Sequence, residues 1–264
     1  MKSPFLPNFF CSAALLALAV FSATAQAQSS CSSDKQRVPT AVLERFISAE
    51  CDACWAMSTL PAAAKAQASL DWIVPSPRGD EAALSTAATN DALARLEALK
   101  LPWTAAQANM QTSALLNAPP TTRPNLPQVN YLRVAHGLPF NGYIGTSIEF
   151  EPGLNLRSHA LMPKKPTPLD HSTAVSAYLV LVETLPAGAE GSNVDRNLVR
   201  NVLITPWDLK QQLSRPKQDG FKALFESRPM SIPQGVNPDR LSVLGWVQDA
   251  KGKVLAMAQS RCTP

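Results

Sequence analysis

Once an N-terminal leader is set aside, four cysteines remain in the 264-residue chain, and their placement limits its folding more than any other feature. Cys31 and Cys262 stand near the two ends, while Cys51 and Cys54 are three positions apart. The leader reads as an export signal over residues 1–27. Lys2 supplies the positive start, "FFCSAALLALAVF" an apolar run too short to span a bilayer, and "AQA" at 25–27 the small residues for cleavage after Ala27. Cys11 would leave with it. The sequence therefore predicts a periplasmic or secreted protein, and oxidising compartments preserve disulfides. Four cysteines allow three pairings, and the spacing favours a local Cys51–Cys54 pair with a Cys31–Cys262 bridge, two free thiols being the alternative to that bridge. Such a bridge requires the two ends of the fold to meet, as domain termini often do. Closing so long a loop adds about 4 kcal/mol in the chain-entropy model.

Charge and composition exclude several classes. The net charge is +4, or +3 without Lys2, and no Lys/Arg-rich run occurs, "PKK" at 163–165 being the nearest. This balance gives no footprint for nucleic acid. No later segment reaches the ~18 uncharged apolar residues of a membrane helix. With 23 prolines against 11 glycines, the chain has many stiff connections.

"AVLERFIS" at 41–48 reads as a buried strand, and Cys54 to Leu70 is Ala-rich and helical in character, with Pro61 as a kink or break. "LDWIVP" at 70–75 reads as a second strand. A helix is predicted within "GDEAALSTAATNDALARLEALK", where Ala92, Leu93, Leu96 and Leu99 form a stripe, and another within residues 104–117. After the proline-rich "APPTTRPNLP" at 118–127, the segments "QVNYLRVAH", "GYIGTSIEFE", "TAVSAYLVLVETL", "RLSVLGWVQD" and "KVLAMAQSR" look like strands, the last two forming a hairpin. "NVDRNLVRNVL" and "WDLKQQL" read as helical or capped pieces between them. The fold class predicted is α/β, with an α/β part over 38–135 and a β-rich, sandwich-like part over 136–264.

"VLERFISAECDACWA" resembles the strand leading into a Cys-x-x-Cys in a family of exported bacterial proteins of unassigned function, with a thioredoxin-like fold and a β-rich C-terminal extension. Leu126-Pro127-Gln128-Val129 is similar to the family's Thr-Pro-Gln-Val-Val-like segment. Glu190-Gly191-Ser192-Asn193 with Asn201-Val202-Leu203 is loosely similar to its polar turn, and "LSVLGWVQDAKGKVLAMAQ" looks like its last hairpin. The resemblance implies a thioredoxin-like domain at 38–135, with Pro127 as the cis-proline facing the cysteine pair. Pro139, in "GLPF", is the other candidate.

Thiol–disulfide exchange needs one attacking thiolate and a second cysteine to resolve the mixed disulfide. A Cys-x-x-Cys at a helix start offers both, Cys51 attacking and Cys54 resolving, because unpaired N–H groups favour a thiolate there. Glu50 and Asp52 oppose it: a carboxylate about 6 Å away costs the thiolate roughly 0.7 to 3 kcal/mol, so the pair is expected to be reductase-like. Its partners would be protein thiols or disulfides in the cell envelope. The alternative is a non-catalytic interaction or scaffold protein in which the disulfide is structural. No cofactor or metal is expected, since zinc wants a second Cys-x-x-Cys or a His pair, and His136, His159 and His171 show no ligand spacing.

Overall fold

The computed structural model describes residues 31–58, 63–64, 66–103, 111–117, 128–155, 174–209 and 223–262. Strands dominate them: β1 (Cys31–Ser32), β2 (Ala41–Ser48), β3 (Gln67–Val74), β4 (Gln111–Asn117), β5 (Gln128–Phe140), β6 (Tyr143–Asn155), β7 (Ala174–Leu185), β8 (Arg196–Asp208), β9 (Leu224–Ser231), β10 (Leu241–Asp249) and β11 (Val254–Gln259). The α-helices among these residues are short, α1 (Asp52–Trp55) of one turn and α2 (Asn90–Ala98) of nine residues.

Two sheets form. One has the order β1-β5-β6-β9 and the other β11-β10-β7-β8-β3-β2-β4. In the larger sheet β2 and β3 run parallel, and β3 meets β8 in parallel at one pair, Asp71 and Leu198. Its remaining neighbours are antiparallel. This sheet draws strands from both sides of residue 135, and β5 itself runs through that position.

Alternation places each side chain. On β7 and β10, Leu179, Leu181, Val243 and Val247 join Val134, Ile148 and Phe150 of the smaller sheet in one apolar layer. Val180, Val182, Leu244 and Trp246 point the other way, where Ala92 and Leu96 of α2 cover them together with Phe46 and Trp72. Successive residues of a strand face opposite sides, so both layers are filled by one set of strands. Thr89 caps α2 by accepting from Ala92 N–H at 3.3 Å. Arg95 of α2 reaches Glu44 of β2 at 2.7 Å in a buried pair and lies over the rings of Tyr178 and Trp246.

The α/β thioredoxin-like expectation is therefore overturned. A parallel sheet of that kind needs crossover helices on its faces. Here the described residues of the Ala-rich segment after Cys51 hold one helical turn, and β3 already begins at Gln67, paired in parallel with Ala41. The helix predicted within 104–117 is strand β4 over its described part, and the helical reading of "NVDRNLVRNVL" gives way to β8, zipped against β7 from Leu185 and Arg196 to Ala174 and Asp208. The two-strand ending is as expected: β10 and β11 form an antiparallel hairpin, with Gly252 at a φ of 80° and Asp249 accepting from the Lys251 and Lys253 N–H groups.

Candidate functional site

Both predicted disulfides are closed, Cys51–Cys54 and Cys31–Cys262. β2 delivers the first of them. After Ser48 the chain turns, with Cys51 N–H donating to the Ser48 carbonyl at 2.9 Å, and Cys51 becomes the N-cap of α1. Cys54 N–H donates to Cys51 Sγ at 3.2 Å, and Trp55 N–H to the Cys51 carbonyl at 3.1 Å. The pair packs against Ile47, Ile73, Ala82, Leu185 and Leu198. Cys51 is only 2% exposed and Cys54 9%. Asp52 faces solvent and accepts from the Ala53 N–H at 2.8 Å, while Glu50 is half-buried.

A buried charge cluster holds this turn. Arg196, at the start of β8, donates through Nη2 to the Cys54 carbonyl at 3.1 Å and to the Trp55 carbonyl. Its Nε donates to Ser192 Oγ at 3.0 Å and its Nη1 to Asp71 Oδ1 at 3.2 Å, with the guanidinium 4.6 Å from the centre of the Trp55 ring. Asp71 also accepts both arms of Arg45 at 2.8 Å and the Asn197 N–H at 2.9 Å. Two guanidinium groups thus share one carboxylate beside the disulfide. Burial pushes the Arg196 guanidinium below its ordinary value, against the pull of Asp71. Sequence reading missed this cluster altogether. The charged residues inside "VLERF" and "LDWIV" were its one visible signal, since a charge in a buried strand needs a partner.

Next to the turn lies a cleft of about 380 Å³, lined among others by Trp55, Ile73, Leu84, Leu198, Glu190 and Arg200. Its walls are braced, because Trp55 Nε1–H donates to the Glu190 carbonyl at 2.8 Å and Arg200 pairs with Glu183 at 2.6 Å and Glu190 at 3.1 Å.

The other predicted positions fall elsewhere. Pro127 lies outside the described residues, as do His159 and His171. Pro139 sits in β5 opposite Ile144, in the sheet that lacks the Cys51–Cys54 turn, and no cis peptide occurs among the described residues. His136 was given no role by its spacing, yet it stands beside the second disulfide: ligand atoms of Cys31, Cys262 and His136 lie within 4.8 Å of one another. Burial holds its imidazole below the ordinary value, partly opposed by the Gly137 carbonyl.

No protein-family model matches the chain, and no curated protein matches it. The resemblance to the exported thioredoxin-like family is thus without support, and the two-sheet, strand-dominated architecture overturns it. Two disulfides fit an extracytoplasmic protein, since oxidising compartments preserve them. No helix among the described residues is long and apolar enough to cross a membrane.

Proposed function

We propose that the protein is a non-catalytic extracytoplasmic interaction protein in which Cys51–Cys54 is a structural staple. The observation that carries this reading is the burial of the pair. Exchange requires an incoming thiolate to reach a sulfur, and α1 is too short to add a substantial helix dipole to the cysteine at its start. Arg196 fixes the turn further by holding two of its carbonyls. The contact surface in this reading is the β5–β6 hairpin, whose tip exposes Leu138 at 62%, Phe140 at 76% and Tyr143 at 54% on either side of the Asn141-Gly142 turn. Clustered apolar residues in water mark interaction surfaces more often than isolated ones do.

Two contacts favour a second reading, that of a thiol–disulfide oxidoreductase acting on protein thiols or disulfides in the cell envelope. The buried guanidinium of Arg196 at the Cys54 carbonyl and the N–H donated to Cys51 Sγ would both stabilise a Cys51 thiolate against the charges of Glu50 and Asp52. Cys51 would then attack and Cys54 resolve, with a reductase-like poise.

Insulin reduction by wild type and by Cys51→Ser separates the two, read beside alkylation of Cys51 after mild reduction of the folded protein. The staple reading expects no turnover in either protein and no alkylation. Turnover by wild type that Cys51→Ser abolishes would overturn it in favour of the oxidoreductase.

A further inference from the structure

Cys31 and His136 are ladder partners on β1 and β5, and Cys262 follows the last strand. The neighbouring Arg261 N–H donates to the Ser32 carbonyl at 3.0 Å, which brings the end of the chain onto β1. Three potential ligands from positions 31, 136 and 262 therefore converge through tertiary structure alone.

His136 is 5% exposed. Its Nδ1 lies 3.1 Å from the Gly137 carbonyl oxygen, which can only accept, so Nδ1 carries the proton and Nε2 presents a lone pair. That Nε2 is buried and has no hydrogen-bond partner. A disulfide has no proton to offer it, and leaving a buried acceptor unpaired lowers stability. A histidine whose second nitrogen is held by a backbone carbonyl is oriented as metal-bound histidines are. The two cysteines also differ in exposure, Cys31 being a buried residue and Cys262 an exposed one.

We infer that Cys31, Cys262 and His136 form a redox-gated site for a zinc ion, closed while the disulfide is intact and opened by a dithiol reductant. A reductant thiolate attacks Sγ of Cys262, the more exposed residue of the two, the S–S bond breaks, and Cys31 leaves as a thiolate that takes up a proton. The reductant's second thiol then displaces Cys262 as a thiol and leaves as its own disulfide, so two electrons pass from dithiol to protein. Zn²⁺ next binds both sulfurs and Nε2, releasing the two thiol protons. Two thiolates and an imidazole match a borderline-soft ion with tetrahedral preference, and water completes the fourth position on the exposed Cys262 side. The Cys51–Cys54 pair has no such third ligand among the described residues. The site is independent of whether that pair exchanges.

The test uses the full mature chain, reduced with a phosphine, with opening of Cys31–Cys262 verified by alkylation and mass spectrometry. Zn²⁺ is titrated against a chromophoric chelator, and Co²⁺ serves as the spectroscopic probe. One equivalent should bind to the reduced protein with thiolate-to-cobalt absorption, and none to the oxidised protein. His136→Gln should weaken Zn²⁺ binding by roughly tenfold or more, the low end of what even outer-shell changes cost. Cys262→Ser, compared with wild type reduced in the same way so that neither protein holds the disulfide, should remove the absorption band whether or not the histidine variant folds. Zn²⁺ should also raise the Tm of the reduced wild type alone. Equal zinc binding by oxidised protein, by His136→Gln, or by Cys262→Ser would overturn the site, as would binding that disappears in Cys51→Ser instead.

Discussion

Arg196 exchanges its hydration shell for a carboxylate, a hydroxyl and two backbone carbonyls, and it is fully buried in doing so. Such a residue is costly to remove because its partners stay behind without donors. Arg196→Met should destabilise the fold by on the order of 3 kcal/mol, Asp71 still being held by Arg45. Asp71→Asn should cost more, since it leaves two buried guanidinium groups facing each other without a counter-charge. Urea unfolding of both variants ranks them, and the opposite order would refute this account of the cluster. At the surface, Asp34 behaves differently. The hydrogen bond from Arg133 holds its carboxyl below the ordinary value near 3.8. With a folded pKa below the unfolded one, its stabilisation is present above the unfolded value and lost as pH falls through the folded value. The contribution is small because both side chains are about two-fifths exposed. An NMR titration should find the Asp34 carboxyl protonating below 3.8 and moving back up in Arg133→Gln.

Two elements carry the contact between the sheets and the contact with the outside. β10 lies between β11 and β7 in the larger sheet, and Gly245 faces the smaller one. A Cβ built there would come within 2.6 Å of Val134 Cγ1, 3.3 Å of Ile148 Cδ1 and 3.3 Å of the Tyr178 carbonyl. Valine is stiff at χ1 and the carbonyl belongs to the neighbouring strand, so neither yields easily. Gly245→Ala should therefore cost about 1 to 3 kcal/mol by overpacking, seen as a lower urea midpoint at unchanged slope. The β5–β6 hairpin presents the opposite case. Phe140 is held by its own ladder with Tyr143 and touches solvent over most of its surface. Phe140→Asp should shift stability by no more than roughly 0.5 kcal/mol, so a large loss of Tm would show that the tip packs against the body instead of serving a partner. Element by element, the sequence was readable where burial and β-propensity agreed. "AVLERFIS" became β2 with its predicted bounds, and the terminal hairpin formed as read. It misled where polar, Leu- and Asn-containing stretches have ordinary helix propensity, because pairing with β7 and β2 decided β8 and β4.

For the molecule as a whole, the Cys31–Cys262 disulfide spans 231 positions and ties β1 to the segment after β11. Its stabilisation lies largely in what it denies the unfolded chain. Cys262→Ser should lower stability by about 2 to 4 kcal/mol, with a steeper urea dependence because the unlinked denatured chain exposes more surface. A changed midpoint with the same slope would place the effect in the native state instead. The parity and spacing of the cysteines favoured the pairing that the structure shows, over two free thiols at the chain ends, and hydropathy offered no membrane helix. Both follow from composition and short-range spacing, which a sequence carries directly. The architecture did not follow, since a parallel β2–β3 unit begins either an α/β sheet or a mixed one, and the long-range ladders of β7, β8 and β10 chose the second. The two side-chain clusters were likewise decided only in three dimensions. Asp71 meets Arg196 across 125 positions and His136 meets Cys31 through a strand register, and burial without water is what gives each of those meetings its chemical weight.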